Sequence, residues 1–211
     1  KYIKICDGMT SYTTAIVFQG ERSLLVYHEP REYVMPKFEP VDYIYLTSMG
    51  KTFKPAYEKV LDFVKQYKIK LSFNPGSFQL RAGLDVLKPY FKETEALFVN
   101  KEEAMMLTEL KSSATIRDLS EALYDMGIKI VNITDGPNGS FCFDGHLLLQ
   151  LGIFPAKIVE RTGAGDAYGA GFTAALWHGK TIDEAMRWGA CNSAGVVADV
   201  GPQAGLLTKD Q

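Results

Sequence analysis

Two hydrophobic periods alternate along the chain. Between residues 41 and 134, short apolar runs of strand length are separated by longer stretches whose apolar residues recur every three or four positions, as on the buried stripe of a helix. VDYIYLTSM (41–49), IKLSFN (69–74), ALFVN (96–100) and IKIVNIT (128–134) predict strands. Residues 52–67, with Val60, Leu61, Phe63 and Val64 on or near one stripe, predict a helix, as do 84–91, 101–108 and 116–127, the last stopped by Gly127. Strands alternating with helices predict a parallel sheet covered on both faces.

The two ends depart from this pattern. TAIVF and SLLVY are β-branched and aromatic runs separated by QGER, a hairpin with glycine in its turn. EPREYVMPKFEP, rich in proline and mixed charge, predicts a loop leading away from it. The chain thus divides into a β hairpin with its connection, 1–40, and an α/β body, 41–211. After residue 134, SFCFD and HLLLQ around Gly145 predict a second hairpin, followed by helices over 165–178 and 182–199. Ligands of open α/β sheets sit beyond the carboxyl ends of the strands, which gathers Asn100, Thr134 and the stretch ERTGAGDAYGAGF (160–172) around one crevice.

Composition narrows the partners. Hydrophobic residues make up 46% and charged residues 23%, as in ordinary globular proteins, and a net charge of -2 gives no electrostatic basis for nucleic acid or anionic membrane as a partner. No apolar run approaches the roughly 20 residues that span a bilayer, and KYIKICDGMT has no signal-peptide core. Cys6, Cys142 and Cys191 show no C-x-x-C spacing, which fits reduced thiols in a cytoplasmic protein rather than a disulfide framework or structural zinc. The glycosylation-like triplets at Asn132 and Asn138 read as chance, since Asn132 lies within an apolar strand. A small, neutral or locally anionic ligand remains.

The glycine-rich stretch fits neither standard nucleotide loop. Counting from Gly163 and Gly165, the dinucleotide fingerprint would need glycine where Tyr168 stands. The two GKT triplets have Tyr45 and Ala174 where a Walker loop needs its first glycine. What remains is T-G-A-G-D opening a helix. Unsubstituted backbone there lets successive N–H groups converge on an anion at the positive end of the helix dipole, with Asp166 in the first turn. The alternative is a small-residue helix start shaped for tight packing, and Gly169 and Gly171 suit packing.

With those residues in view, ERTGAGDAYGAGF resembles the C-terminal signature of the ribokinase-like family of sugar and nucleoside kinases. N-K-E-E (100–103) resembles the family's Asn-x-x-Glu motif, T-D-G-P-N-G (134–139) its nucleotide segment, and ACNSAGVVADVGPQAG (190–205) its closing helix and adenine-side loop. The resemblance implies a ribokinase-like, Rossmann-type, mainly parallel sheet flanked by helices with a small β-hairpin lid. It also implies an ATP-dependent transfer of phosphate to a hydroxyl of a sugar or sugar-like substrate, with a nucleoside acceptor, or nucleotide binding without catalysis, as the alternatives.

Residue by residue, it implies that Asp166 is the base and that the amides of Gly163, Ala164 and Gly165 hold the transferring phosphoryl group. Asn100 and Glu103 would orient Mg2+ through water. Thr134, Asp135, Gly136 and Gly139 would face the ATP phosphates and ribose, and Asn192 and Gly201 would lie near adenine. Spacing alone leaves other readings open: a capping box for Asn100 and Glu103, an ordinary turn for 134–139, a plain helix residue for Asn192.

Relatives commonly bind K+ beside the anion hole. Here Glu160 and Thr162 would form an altered version of that site, with Arg161 either adding positive charge or standing solvated at the surface. The resemblance covers roughly the last two thirds of such a kinase, so an N-terminal sugar-binding part is expected elsewhere. Val17, Phe18 and Leu25 on the lid would either cover substrate or pair with a second copy in a homodimer.

Overall fold

The computed structural model describes residues 7–18 and 21–210; Cys6, Gln19 and Gly20, and the side chains of Ala15, Val17, Phe18, Glu21, Arg22 and Leu24 lie outside the described residues. Strands β1 (Tyr12–Phe18) and β2 (Glu21–Tyr27) pair antiparallel as the expected hairpin, with Tyr12 stacked on Tyr27 at 5.3 Å between ring centroids. Tyr12, Ile16, Leu25 and Val26 are exposed on it. The hairpin's connection is tied to the body by His28, whose ring meets Phe78 at 5.0 Å.

The body holds a six-stranded sheet in the order β3 (Tyr43–Leu46), β4 (Lys70–Phe73), β5 (Thr94–Asn100), β6 (Ile130–Thr134), β7 (Ser140–Phe143) and β8 (Leu148–Leu151). The first four run parallel, and β7 and β8 return antiparallel. Strand order follows chain order because each parallel step is bridged by helix: α1 (Lys54–Tyr67), then α2 (Ser77–Arg81) with α3 (Leu84–Phe91), then α4 (Lys101–Thr108) with α5 (Ile116–Asp125). Helix α2 was not legible in the hydrophobic pattern, since five residues are too short to show a helical period.

Central strands are buried on both faces, so their side chains feed two cores. Along β5, Leu97 and Val99 join Tyr57, Phe73 and Leu123 on one side, while Ala96 and Phe98 join Tyr168 and Phe172 on the other. Helices α6 (Ala164–Trp177) and α7 (Ile182–Val197) cover that second side. Both glycines of α6 permit close packing: a side chain on Gly171 would meet the Trp188 carbonyl of α7, and one on Gly169 the Tyr45 hydroxyl of β3, in keeping with the packing role expected of both. Asn132 is fully buried on β6, so its triplet is no surface acceptor.

Candidate functional site

Helix α6 begins at a left-handed Gly163 (φ 84°), and Ala167 N–H donates to the Gly163 carbonyl at 2.8 Å. Ala164 N–H turns back to the Arg161 carbonyl at 3.3 Å, whereas the amides of Gly165 and Asp166 have no acceptor among the described residues. The expected cradle of Gly163, Ala164 and Gly165 is therefore not uniform. A Cβ on Gly165 would meet nothing within 4 Å, so that position faces open space, but one on Gly163 would lie 2.7 Å from Pro202 Cβ. Gly163 thus admits the loop after α7, and Gly165 keeps the helix start open.

Asp166 stands one residue on, at the surface. Its carboxyl is nonetheless crowded enough that desolvation pushes its pKa above the usual aspartate value. Asn74, just past the end of β4, donates from Nδ2 to Asp166 Oδ1 at 3.4 Å and to Tyr45 Oη at 3.0 Å. Burial, and to a lesser extent the Asp166 charge, pushes the Tyr45 phenol up to about 12, so it stays a neutral hydroxyl.

A cavity of about 330 Å3 lies on the other side of the helix start. Its walls are the β6–β7 turn (Thr134, Gly136, Pro137, Gly139, Ser140), then Gly152, Ile153, Phe154, Ala156 and Ile158, the helix start (Ala164, Gly165, Tyr168), and Ala190, Ser193, Ala194 and Val197 of α7. Arg161 is the one charged residue among the described residues that line it. The cavity gathers Thr134, Gly136, Gly139, Ala164 and Gly165 of the expected site.

Other expected residues are not in its walls. Asn192 is buried between the helices, donating to the Ala167 carbonyl at 2.8 Å and accepting from Leu207 N–H at 2.9 Å. Its amide is consumed in joining α6, α7 and the tail, and Ser193 is the polar residue that α7 presents to the cavity. Asp135 holds Asn138 at 3.0 Å and Lys101 at 3.5 Å, fixing the turn. Gly201 adopts a left-handed φ of 99° beside Pro202, outside the lining.

Asn100 and Glu103 form a reciprocal capping box: Asn100 Oδ1 accepts from Glu103 N–H at 2.8 Å, and Glu103 Oε2 accepts from Asn100 N–H at 2.9 Å. Burial raises the Glu103 pKa, opposed by that backbone hydrogen bond, while the like charges of Glu102 and Asp166 add to the rise. Hard carboxylate oxygens crowded in this way suit a divalent cation held mainly through water. Among the described residues no three of His, Cys, Asp and Glu converge closely enough to hold a metal directly. The Glu160 carboxylate accepts from Thr162 N–H at 2.8 Å.

Sequence reasoning missed Asn74 and Tyr45. The signal was present for Asn74, which stands at the carboxyl end of a strand as Asn100 and Thr134 do. Tyr45 reaches the site only through the pairing of β3 with β4, which no local pattern reveals.

A mainly parallel sheet with a cavity beyond its strand ends and a glycine-opened helix makes this an α/β protein of the open-sheet class, in which ligands sit beyond the carboxyl ends of the strands. The structure superposes on the ribokinase of Thermotoga maritima with a TM-score of 0.72 at 21% identity, covering 95% of this chain and 67% of that one. The nucleoside kinase of Methanocaldococcus jannaschii gives 0.67 at 26% identity, covering 83% and 56%. The model of the pfkB family of carbohydrate kinases matches residues 2–209, and the chain belongs to that family. A cytidine kinase of Thermococcus kodakarensis is 32% identical over 134 residues, 62% of this chain and 47% of that protein. The chain spans about half the length of the curated relatives it matches. Among the described residues no helix is long and apolar enough to cross a membrane.

Proposed function

We propose that this chain is the nucleotide-binding and phosphoryl-transfer part of an ATP-dependent kinase acting on a hydroxyl of a sugar or nucleoside. The observation that carries this reading is the helix start of α6, which turns Gly165 toward an apolar cavity and Asp166 toward Asn74 on the opposite side. A base fits the apolar walls, its phosphates lead to the open amide of Gly165, and a hydroxyl approaching Asp166 meets a carboxylate able to take its proton.

Phosphoryl transfer needs mainly positioning and charge stabilisation, which a preorganised helix start supplies without reorganising. Mg2+ would be oriented through water by Glu103, with Asn100 fixing that carboxylate, and would neutralise charge on the phosphates. Asp166 holds the acceptor proton at its carboxyl, and Asn74 fixes the direction of that carboxyl. The exposed apolar residues Ile16 and Leu25 support a lid that either covers the acceptor or pairs with a second copy, which sedimentation distinguishes.

ATP consumption against a panel of sugars and nucleosides tests the reading, run beside ATP-induced thermal stabilisation. Turnover that disappears in Asp166→Asn supports it; turnover that survives refutes the role of Asp166. Because the chain spans about half of its relatives, a second reading is binding without catalysis, which predicts stabilisation by ATP and no consumption with any acceptor.

A further inference from the structure

Resting on the nucleotide reading above, we propose that the Arg161 guanidinium recognises the phosphate chain of a nucleoside triphosphate in the cavity, supplying a fixed positive charge from the protein itself. Among the described residues that line the cavity, Arg161 alone carries a formal charge, and the rest offer apolar side chains, hydroxyls and backbone. Its side chain makes no ion pair or hydrogen bond among the described residues. The adjacent Glu160 carboxylate instead takes Thr162 N–H.

Placement adds to the charge argument. The Arg161 carbonyl accepts from Ala164 N–H, which ties its backbone to the start of α6. The same cavity wall contains Gly165, where open space replaces a side chain. A guanidinium and a helix amino terminus then act on one volume, and both favour an anion. Guanidinium matches phosphate oxygens through paired, directional N–H donors, and low-dielectric walls strengthen such a contact relative to open water. A neutral nucleoside fills the apolar part equally well but has nothing to offer Arg161. The ligand class is therefore an aromatic base bearing phosphates.

The test is binding of ATP and of adenosine, each by calorimetry, to the 211-residue chain and its Arg161→Gln and Arg161→Lys variants. Arg161→Gln is expected to weaken ATP by about tenfold or more, the scale of a lost charge-assisted hydrogen bond, and to leave adenosine within about twofold. Arg161→Lys, which keeps the charge without the paired donors, falls between. The salt dependence of ATP binding becomes shallower in Arg161→Gln. ATP affinity unchanged in both variants, or equal losses for ATP and adenosine, overturns the role of Arg161 while leaving the nucleotide reading standing. A parent chain that binds neither ligand overturns both.

Discussion

The Asn74 side-chain amide joins two hydroxyl- and carboxyl-bearing groups from distant parts of the chain, donating to Asp166 Oδ1 at 3.4 Å and to Tyr45 Oη at 3.0 Å. The end of β4 thereby sets the direction of a side chain on α6. A donor to the ionised carboxylate favours that form, so Asn74→Ala should move the acid limb of kcat against pH upward. Asn74→Asp should move it further, since a second carboxylate opposes ionisation of the first. Identical acid limbs in the parent and in Asn74→Asp would separate Asn74 from the base.

Asp166 itself gives a second pH signature. Desolvation raises its pKa, and the ionised form is the base, so activity should rise with pH through a value above the ordinary aspartate range. For stability the sign is opposite. The folded state holds this proton more tightly than the unfolded chain, so the contribution is present below the unfolded value and lost as pH rises through the folded one. Asp166→Asn should consequently reduce kcat by about 10^2 to 10^4. At neutral pH it should melt no lower than the parent, while retaining ATP binding. A lower melting temperature at pH 7 contradicts the desolvation account.

Glu103 carries two roles that one pair of substitutions separates. In Glu103→Gln the side-chain oxygen still accepts from Asn100 N–H, but the charge opposed by burial, Glu102 and Asp166 is gone. Melting should be unchanged or slightly higher, while the Mg2+ concentration required for half-maximal activity rises. Glu103→Ala also removes the acceptor of Asn100 N–H, leaving the Asn100 cap on residue 103 in place, and should cost about 0.5–1.5 kcal/mol. Unaltered Mg2+ dependence in Glu103→Gln would leave only the capping box.

How much of this was written in the sequence depends on distance along the chain. The parallel strands and the helices over 84–91 and 101–108 follow from hydrophobic period alone, because a strand buried on both faces reads as a continuous apolar run. The helix start at Gly163 was legible because its chemistry is contiguous. Arg161 was legible as a residue but not as a cavity wall, since residues 152–158 and α7 complete that wall from elsewhere. Asn192 was ambiguous for the same reason. A polar side chain on a helix looks alike whether it faces ligand or closes a helix pair, and only packing of α6 on α7 decides.

That decision predicts a clean separation at Asn192. Asn192→Leu strands Leu207 N–H and removes the link to Ala167, a loss of about 1–3 kcal/mol for buried polar groups left unpaired. The melting temperature should fall by several degrees while ATP affinity in the still-folded protein changes little. A large loss of affinity without destabilisation would return Asn192 to the nucleotide.

Gly163 and Gly165, two residues apart at one helix start, should respond oppositely to the same substitution. Gly163→Ala puts a side chain on a backbone at φ 84° and within 2.7 Å of Pro202, so it should destabilise and displace the loop after α7. Gly165→Ala meets nothing within 4 Å and improves helix propensity by up to about 1 kcal/mol, so melting should hold or rise. The new methyl would nonetheless project into open space at the cavity wall, where the proposed phosphates lie. Gly165→Ala should therefore weaken ATP binding or slow turnover in a protein that is at least as stable as the parent. Stability and activity are measured on the same samples by thermal melting and initial rates. If both properties fall together at Gly165, its role is packing; if they part, the open backbone serves the ligand.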